Sequence, residues 1–381
     1  KIPHVKYWTN QIKQKANIST FEHCQDKPKP MNDKNFSSYR EAAAFLKGVL
    51  ETHNFERPTV GIICGSGLSG LSKTLSKSIT VKYGSIPGFP SHTTVAGHKG
   101  EIVFGLLNDK IPAMCFRGRF HSYEGHDMNT TALPVRIMRC LSVKLLIVTN
   151  AAGGLNPSYN VGDIVNVMDY FALPMLTGKN PLVGPNDDEL GPRFPPVSNA
   201  FDTDLQSVVL KASKSVGINQ FLRENGTYCF VSGPMYESRA ECKFLRSIGG
   251  DSVGMSTVPE IVAAHHSGMK VVCLSLITNK VVIQGDEGPP ASHQEVLDAV
   301  NTRSEQVQAL VKEIVKELST SGMLDMLPDL SEINLGTMEE KKSNLKLCLC
   351  PYTLLTSIPL HCWTMGFAAF ALGVVMMKKK I

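Results

Sequence analysis

The 381-residue sequence lacks several features that would point directly to a class of protein. Its ten cysteines include no Cys-x-x-Cys pair and no Cys/His cluster at zinc spacing, so we expect no structural metal. This cysteine usage favours a reducing compartment, and we expect a cytoplasmic protein. The N-terminal part contains no apolar run that could form the core of a signal peptide.

The body of the chain also lacks an excess of positive charge. The formal net charge is +5, but residues 1–35 carry seven Lys against three acids, and Lys378, Lys379 and Lys380 add three more charges. The remaining residues, 36–377, therefore have a net charge of −2. A slightly acidic body excludes a basic nucleic-acid-binding surface, and we expect no nucleic-acid partner.

The two ends of the chain differ from its middle. Residues 1–35 are polar and Lys-rich and predict a flexible extension; Met31 stands just before the first amphipathic pattern and is a hypothetical native start. Residues 327–381 predict a C-terminal extension, in which the hydrophobic segment 347–377 carries no charged side chain. Residues 360–377, followed by three lysines, have the length of a short membrane anchor. The alternatives are a non-functional tail and a helix docked on the core or on a partner.

Residues 36–326 alternate β-branched runs with helical patterns, which predicts one three-layer α/β/α domain with a mixed central sheet. The predicted strands are residues 59–64, 101–107, 111–116, 144–149, 163–168, 227–231 and 270–276. The clearest predicted helices are residues 38–53, 129–141, 237–248 and 293–319. Ligand sites in such sheets gather where strands end and loops begin.

A glycine-rich turn follows the first predicted strand. Gly65-Ser66-Gly67-Leu68-Ser69-Gly70 matches the G-x-G-x-x-G string of dinucleotide-binding folds, which require an acid about 20 residues later. No Asp or Glu occurs between Arg57 and Gly100. What remains is either a turn whose backbone N–H groups face an anion or a tight turn before a helix.

Two further segments supply groups that an anion requires. His98 lies in a glycine-bounded loop, and Arg119 and His121 follow an apolar strand. The planar fork of Arg donates two parallel hydrogen bonds to a tetrahedral oxyanion. Because the chain has no Walker-type Gly-Lys-Ser/Thr, free phosphate is a better candidate ligand than a nucleoside triphosphate.

Eight motifs in order over residues 38–319 resemble the purine nucleoside phosphorylases of the homotrimeric class. They are Gly65-Ser66-Gly67-Leu68, Gly97-His98, the segment 118–125 with Arg119, Phe120 and His121, Thr149-Asn150-Ala151-Ala152-Gly153-Gly154-Leu155, Gly184-Pro185-Asn186-Asp187, Gly233-Pro234 with Glu237, the segment 253–260, and Ser275-Leu276-Ile277-Thr278-Asn279-Lys280.

The resemblance implies that phosphate attacks C1′ of a purine (deoxy)ribonucleoside and releases the base and (deoxy)ribose 1-phosphate, in purine salvage. It implies no metal and no cofactor, since phosphate is a co-substrate. The phosphate-binding residues implied are Ser66, His98, Arg119, His121, Ala151 through its backbone N–H, and Ser256. A phosphate dianion held beneath the sugar both stabilises an oxocarbenium-like transition state and lies in line to capture it.

The same resemblance implies the nucleoside-binding residues Tyr123, Phe194, Tyr228, Tyr236, Glu237, Met255, Thr278, Asn279 and His293. The resemblance also assigns catalytic roles to His121, Glu237, Asn279 and His293, and it implies that Phe194 reaches the neighbouring site of a homotrimer. In this reading Asn279 would donate to N7 or O6 and Glu237 would accept from N1–H, which favours inosine and guanosine. An Asp at 279 would instead suit a 6-amino group.

The alternatives are a methylthioadenosine or broader nucleoside phosphorylase and a catalytically idle nucleoside-binding or membrane-tethered protein. Three residues depart from the family pattern: Tyr236 replaces Phe, Met235 replaces a small Ser or Thr, and Arg117 replaces a frequent Gln. We expect Arg117 to add positive charge near the anion site. Residues 284–292 predict a flexible loop that closes over the substrate.

Overall fold

The structure is a computed structural model that describes residues 34–335 except 92, 94, 96 and 284–291; the side chains of 34–37 and of 293 are also outside the description. The predicted extension before residue 34, most of the closing loop, and the hydrophobic segment with its proposed anchor lie outside the described residues. Within the described part, none of the helices combines the length and the apolar composition that crossing a bilayer requires.

Nine strands and seven α-helices form the described part of the chain. The strands are β1 (Val60–Ile63), β2 (Ser76–Lys82), β3 (Glu101–Leu107), β4 (Ile111–Phe116), β5 (Leu145–Gly154), β6 (Ile164–Ala172), β7 (Leu222–Phe230), β8 (Ser252–Gly254) and β9 (Lys270–Lys280). The helices are α1 (Lys34–Thr52), α2 (Met128–Cys140), α3 (Leu173–Leu176), α4 (Thr203–Ser215), α5 (Arg239–Ser247), α6 (Val258–His266) and α7 (His293–Thr320).

The strands of the described residues form one mixed sheet in the order β2-β3-β4-β1-β5-β8-β7-β6-β9, and β5 also pairs with β9. β1 runs parallel to β4 and β5, and β5 runs parallel to β9, whereas β3 is antiparallel to β4. The second pairing of β5 joins the last five strands into a closed ring. The carboxyl ends of β1, β4, β5 and β9 consequently meet at one edge.

Helices cover both faces of the sheet. One hydrophobic core contains side chains of α1, α2 and α6, such as Leu46, Val135 and Ile261. The other contains side chains of α4 and α7, such as Val209 and Ile314. The prediction of an α/β/α fold with a mixed central sheet is therefore confirmed.

Four strands, β5, β6, β7 and β9, extend further than their patterns indicate, and two of these extensions reach the site. The predicted ends at Thr149 and Leu276 lie inside β5 and β9, which continue to Gly154 and Lys280 as paired strands. The ladder between these two strands supports residues with weak β propensity, such as Gly153. The motifs that follow the predicted strand ends are thus part of the sheet, and their side chains have fixed directions.

Helix α6 was not among the predicted helices, because nearly every residue of Val258–His266 is buried. A helix that is buried all round shows no amphipathic period, so the sequence pattern gave no signal for it. Strands β2 and β8 and helices α3 and α4 were likewise not predicted. The buried helix α6 matters for the site, because its first turn faces the sheet edge described above.

The segment after α7 packs against the domain. Leu327 and Ile333 are buried, with Ile333 3% exposed, and an Arg139 Nη2 group donates to the Ser331 carbonyl at 2.9 Å. An exposed ion pair joins Arg57 to Glu332 at 2.8 Å. The packed chain therefore continues beyond the predicted domain boundary at residue 326.

We expect Ile333→Ala to destabilise the domain, because the substitution removes a buried side chain from the core. The expected loss is about 2–4 kcal/mol in the free energy of unfolding, measured by urea unfolding. Glu332→Gln is the matched control: its side chain is exposed, and its urea midpoint should stay close to that of wild type. Equal midpoints for wild type and Ile333→Ala would contradict the packing of this segment.

Candidate active site

A cavity of about 130 Å³ opens at the edge where the strand ends meet. β1 leads into Ser66, β4 leads towards Arg119 and His121, and the ends of β5 and β9 supply Ala151 and Asn279. These parallel strands converge, and residues far apart in the sequence therefore face one space.

Arg119 is the cation at one end of this cavity, although its side chain is only 1% exposed. One terminal nitrogen, Nη1, donates to Ser256 Oγ at 2.8 Å and to Thr257 Oγ1 at 2.9 Å. The other, Nη2, donates to the Thr149 carbonyl at 2.8 Å. The Nε atom lies 3.3 Å from Glu260 Oε1. These contacts hold the guanidinium in a single orientation.

Thr257 has an unusual backbone conformation at this point. Its φ of +76° is rarely adopted by a β-branched residue, and it precedes α6 directly. Its hydroxyl also accepts from Asn150 Nδ2 at 3.1 Å and lies 3.1 Å from Ser256 Oγ. Such strain persists only where surrounding contacts fix it, and here the contacts are those of Arg119, Asn150 and Ser256.

Two imidazoles and a phenol ring stack beside Arg119. The His98 and His121 rings lie 5.3 Å apart, and the His121 and Tyr123 rings lie 4.5 Å apart. His98 Nδ1 accepts from the Arg119 backbone N–H at 3.3 Å, which places the proton of a neutral ring on Nε2. His121 Nδ1 donates to Glu124 Oε1 at 2.9 Å.

Both histidines are kept neutral by their surroundings. Burial lowers the pKa of His98 to about 3, and the neighbouring His121 and Arg119 act in the same direction. Burial also lowers the pKa of His121, although its hydrogen bond to Glu124 opposes the change. Neutral imidazoles can exchange hydrogen bonds with a dianion without adding charge to the site.

The end of the cavity away from Arg119 carries an amide and a carboxylate: Arg119 contacts Thr149, whereas Asn279 pairs with Gly153, four residues further along β5. Thr278 Oγ1 lies 3.2 Å from Asn279 Oδ1, so the hydroxyl can donate to the amide oxygen and leave Nδ2 as the donor. Glu237 lines the same end just before α5. Burial raises the pKa of Glu237 above its usual range. This end offers one donor and one acceptor to a planar polar ligand.

An apolar wall joins the two ends. Gly233 has φ +65°, and a Cβ at this position would lie 2.4 Å from the Met255 sulfur and 3.3 Å from the Tyr123 ring. A side chain at 233 would consequently displace both wall residues. The peptide bond between Gly233 and Pro234 is cis. Tyr236 also lines the cavity.

Several known proteins are similar to this chain over most of its length. Residues 59–316 match the family described as the phosphorylase superfamily. The purine nucleoside phosphorylase of Bos taurus is 43% identical over 291 residues, which cover 76% of this chain and 98% of the bovine protein. That of Saccharomyces cerevisiae is 44% identical and covers 74% of this chain and 98% of the yeast protein. The chain belongs to the purine nucleoside phosphorylase family.

A solved structure of a purine nucleoside phosphorylase agrees with this assignment. The Schistosoma mansoni enzyme in complex with inosine superposes with a TM-score of 0.69 at 40% identity. The match covers 75% of this chain and 96% of that one. The family resemblance predicted from eight motifs is therefore confirmed.

The structure brings most of the residues predicted for a purine nucleoside phosphorylase site into the cavity. Those that line it are Ser66, Arg119, His121, Tyr123, Ala151, Tyr236, Glu237, Met255, Ser256, Thr278 and Asn279. His98 lies behind His121, with which it stacks. The His293 side chain is outside the described residues, but α7 begins at His293, and Val296 on the same helix lines the cavity.

Two predicted nucleoside-binding residues lie elsewhere. Tyr228 is fully buried behind the cavity wall, and a Cβ at Gly254 would lie 2.4 Å from its hydroxyl. It therefore supports the wall from behind, whereas the resemblance counted it among the nucleoside-binding residues. Phe194 is 86% exposed, and its side chain is not part of the cavity of its own chain.

The expected effect of Arg117 on the anion site is not seen. Its Nη1 donates to Glu101 at 2.8 Å, and Arg117 does not line the cavity. The acid on the adjacent strand β3 therefore balances the added charge. Met235, the second departure from the family pattern, is 70% exposed and also lies outside the cavity lining.

The residues predicted for the site did not include Asn150, Thr257 and Glu260. Thr257 and Glu260 contact Arg119, and Asn150 donates to the Thr257 hydroxyl. Asn150 and Glu260 each interrupt a run of apolar residues, and a polar residue in a buried element is the signal that could have identified them. No sequence pattern marks Thr257, because its contact with Arg119 depends on its backbone conformation.

Proposed function

We propose that this chain catalyses the reversible phosphorolysis of 6-oxopurine (deoxy)ribonucleosides such as inosine and guanosine. The observation that carries the proposal is that the two ends of one cavity carry different groups. Arg119 and neutral imidazoles lie at one end, and Glu237 and Asn279 lie at the other. The first end suits a phosphate dianion and the second a purine, and the apolar wall between them suits the sugar.

At the phosphate end, we infer that Arg119 supplies the charge and that Ser66, Ser256, His98 and the Ala151 backbone N–H supply neutral hydrogen bonds. Phosphate held beneath the sugar would stabilise positive charge at C1′ and then form the new C–O bond as the C1′–N9 bond breaks. The proposal requires no cofactor, because phosphate is a co-substrate and Arg119 provides the positive charge.

At the base end, we infer that Asn279 Nδ2 donates to N7 or O6 of the purine, where negative charge accumulates as the glycosidic bond breaks. The contact with Thr278 supports this orientation of the amide. Glu237 in its ionised form accepts from N1–H. Because burial raises the pKa of Glu237, we expect base binding to weaken as the pH falls through that raised pKa.

We further propose a homotrimer in which Phe194 completes the neighbouring site. The exposed phenyl ring is carried by a loop that α6 fixes: His265 Nε2 donates to the Pro196 carbonyl at 2.7 Å, and His266 Nε2 lies 3.1 Å from the Pro192 carbonyl. A rigid loop that presents an aromatic ring to solvent favours insertion into a partner.

A cytoplasmic location remains part of the proposal. The six cysteines within the described residues are all free and buried, and Cys64 and Cys115 keep their sulfur atoms 3.4 Å apart as thiols. Adjacent unbonded thiols fit a reducing compartment.

Phe194→Ala tests the shared site. We expect the nucleoside KM to rise about tenfold and the phosphate KM to stay within about twofold, because the ring would cover the sugar and not the anion. Steady-state kinetics with inosine measures both. Tyr170→Ala, an aromatic position outside the cavity lining, is the control.

Co-expression with Arg119→Gln subunits sharpens this test. In a mixed trimer, a Phe194→Ala subunit keeps its own Arg119 and can receive Phe194 from a neighbouring Arg119→Gln subunit. A fraction of the sites should therefore regain the wild-type nucleoside KM. Purely additive behaviour of the two variants would show that no residue is shared.

A further inference from the structure

Glu260 is a buried carboxylate to which the proposed reaction gives no role. It lies in the first turn of α6 with 2% of its side chain exposed. Within the described residues, neither carboxylate oxygen has a hydrogen-bond partner of good geometry. The cation beside it is Arg119, whose Nε atom lies 3.3 Å from Glu260 Oε1. This Nε–H group, unlike the two Nη groups of Arg119, has no well-aligned hydrogen-bond acceptor.

The other contacts of Arg119 are with neutral groups. Ser256 and Thr257 offer hydroxyl oxygens and Thr149 offers a carbonyl, so these contacts orient the guanidinium without cancelling its charge. Glu260 is the acid that pairs with Arg119 among the described residues. Since both groups are almost completely buried, water screens their attraction only weakly.

We propose that Glu260 is the positioning residue that balances the charge of Arg119 in the free site and thereby limits how tightly phosphate is held. This inference rests on the proposed function, since it assumes that phosphate binds Arg119. Burial raises the pKa of Glu260, and the charge of Arg119 at 3.3 Å opposes this rise. In its ionised form, Glu260 already neutralises part of the Arg119 charge before a phosphate dianion arrives. A phosphate site balanced in this way releases its ligand readily, which a reversible reaction requires.

The isosteric variant Glu260→Gln removes the charge and retains a side-chain oxygen. We expect the phosphate KM to fall about tenfold, because phosphate becomes the main counter-charge of Arg119. The nucleoside KM should stay within about twofold. The variant should unfold at a lower temperature than wild type without phosphate, and phosphate should raise its Tm by more than it raises that of wild type.

Two further variants separate charge balance from structural support. Glu260→Asp keeps the charge and should leave the phosphate KM within about threefold of wild type. Asp163→Asn removes another buried acid, which pairs with Arg223 at 2.8 Å outside the cavity. It should lower the Tm but leave the phosphate KM and the phosphate-induced Tm shift unchanged.

A phosphate KM that is unchanged or raised in Glu260→Gln would overturn the proposal. If the variant fails to fold without phosphate, refolding is compared in phosphate and in chloride at equal ionic strength; the proposal predicts recovery in phosphate only, and failure at every phosphate concentration overturns it. A wild-type protein with neither phosphate-dependent turnover nor a phosphate-induced Tm shift would instead refute the proposed function.

Discussion

Replacing Arg119 with Gln is expected to lower the rate of phosphorolysis by about 100- to 1,000-fold, because the variant loses the charge that holds phosphate. Arg119 lines the cavity and is oriented by Ser256, Thr257 and the Thr149 carbonyl. Gln can replace a hydrogen bond but cannot balance a dianion. The loss should be in kcat/KM for phosphate, measured at saturating inosine.

Arg117→Gln is the matched control for this substitution. It changes the same residue type two positions earlier, but Arg117 pairs with Glu101 and does not line the cavity. We expect its kcat/KM for phosphate to stay within about threefold of wild type. Similar losses in both variants would mean that the positive charge of the region matters in general and that Arg119 has no specific role.

The second large effect is expected at the base end. Asn279→Asp should lower kcat/KM for inosine by about 100-fold, because a carboxylate replaces the amide donor where negative charge develops on the purine. Activity on adenosine should rise relative to inosine, since a carboxylate can accept from a 6-amino group. Both substrates are measured with the same enzyme preparation, and their ratio is compared with that of wild type.

Thr278→Val provides the comparison for Asn279→Asp. It removes the hydroxyl that lies 3.2 Å from Asn279 Oδ1 but leaves the amide in place. We expect a smaller loss, about tenfold, on both substrates and no change in their ratio. An unchanged ratio in Asn279→Asp itself would refute the assignment of base recognition to this residue.

Much of the fold and of the site follows from local sequence patterns. β3 and β4 have the predicted bounds, and Ser66 and Arg119 line the cavity. These two residues follow strands that show a clear sequence pattern, where periodicity and turn chemistry are most informative. Glu237 also lines the cavity, but its role was implied only by the family resemblance.

The parts that the sequence did not predict depend on tertiary contacts. β5 continues to Gly154 because β9 pairs with it, and α6 has no amphipathic period because it is buried all round. Thr257 and Glu260 belong to the motif 253–260, but their contacts with Arg119 depend on that helix, so neither was predicted as a site residue. Side chains that act through Arg119 become visible only when the fold places them beside it.

The central claim is that phosphate, and not water, cleaves the glycosidic bond of a 6-oxopurine nucleoside in this cavity. The most direct test incubates the full-length protein with inosine at increasing phosphate concentrations and measures hypoxanthine, ribose 1-phosphate and free ribose. We expect hypoxanthine and ribose 1-phosphate in equal amounts, at a rate that saturates with phosphate. Release of free ribose at a rate independent of phosphate, or no release of hypoxanthine, would contradict the claim.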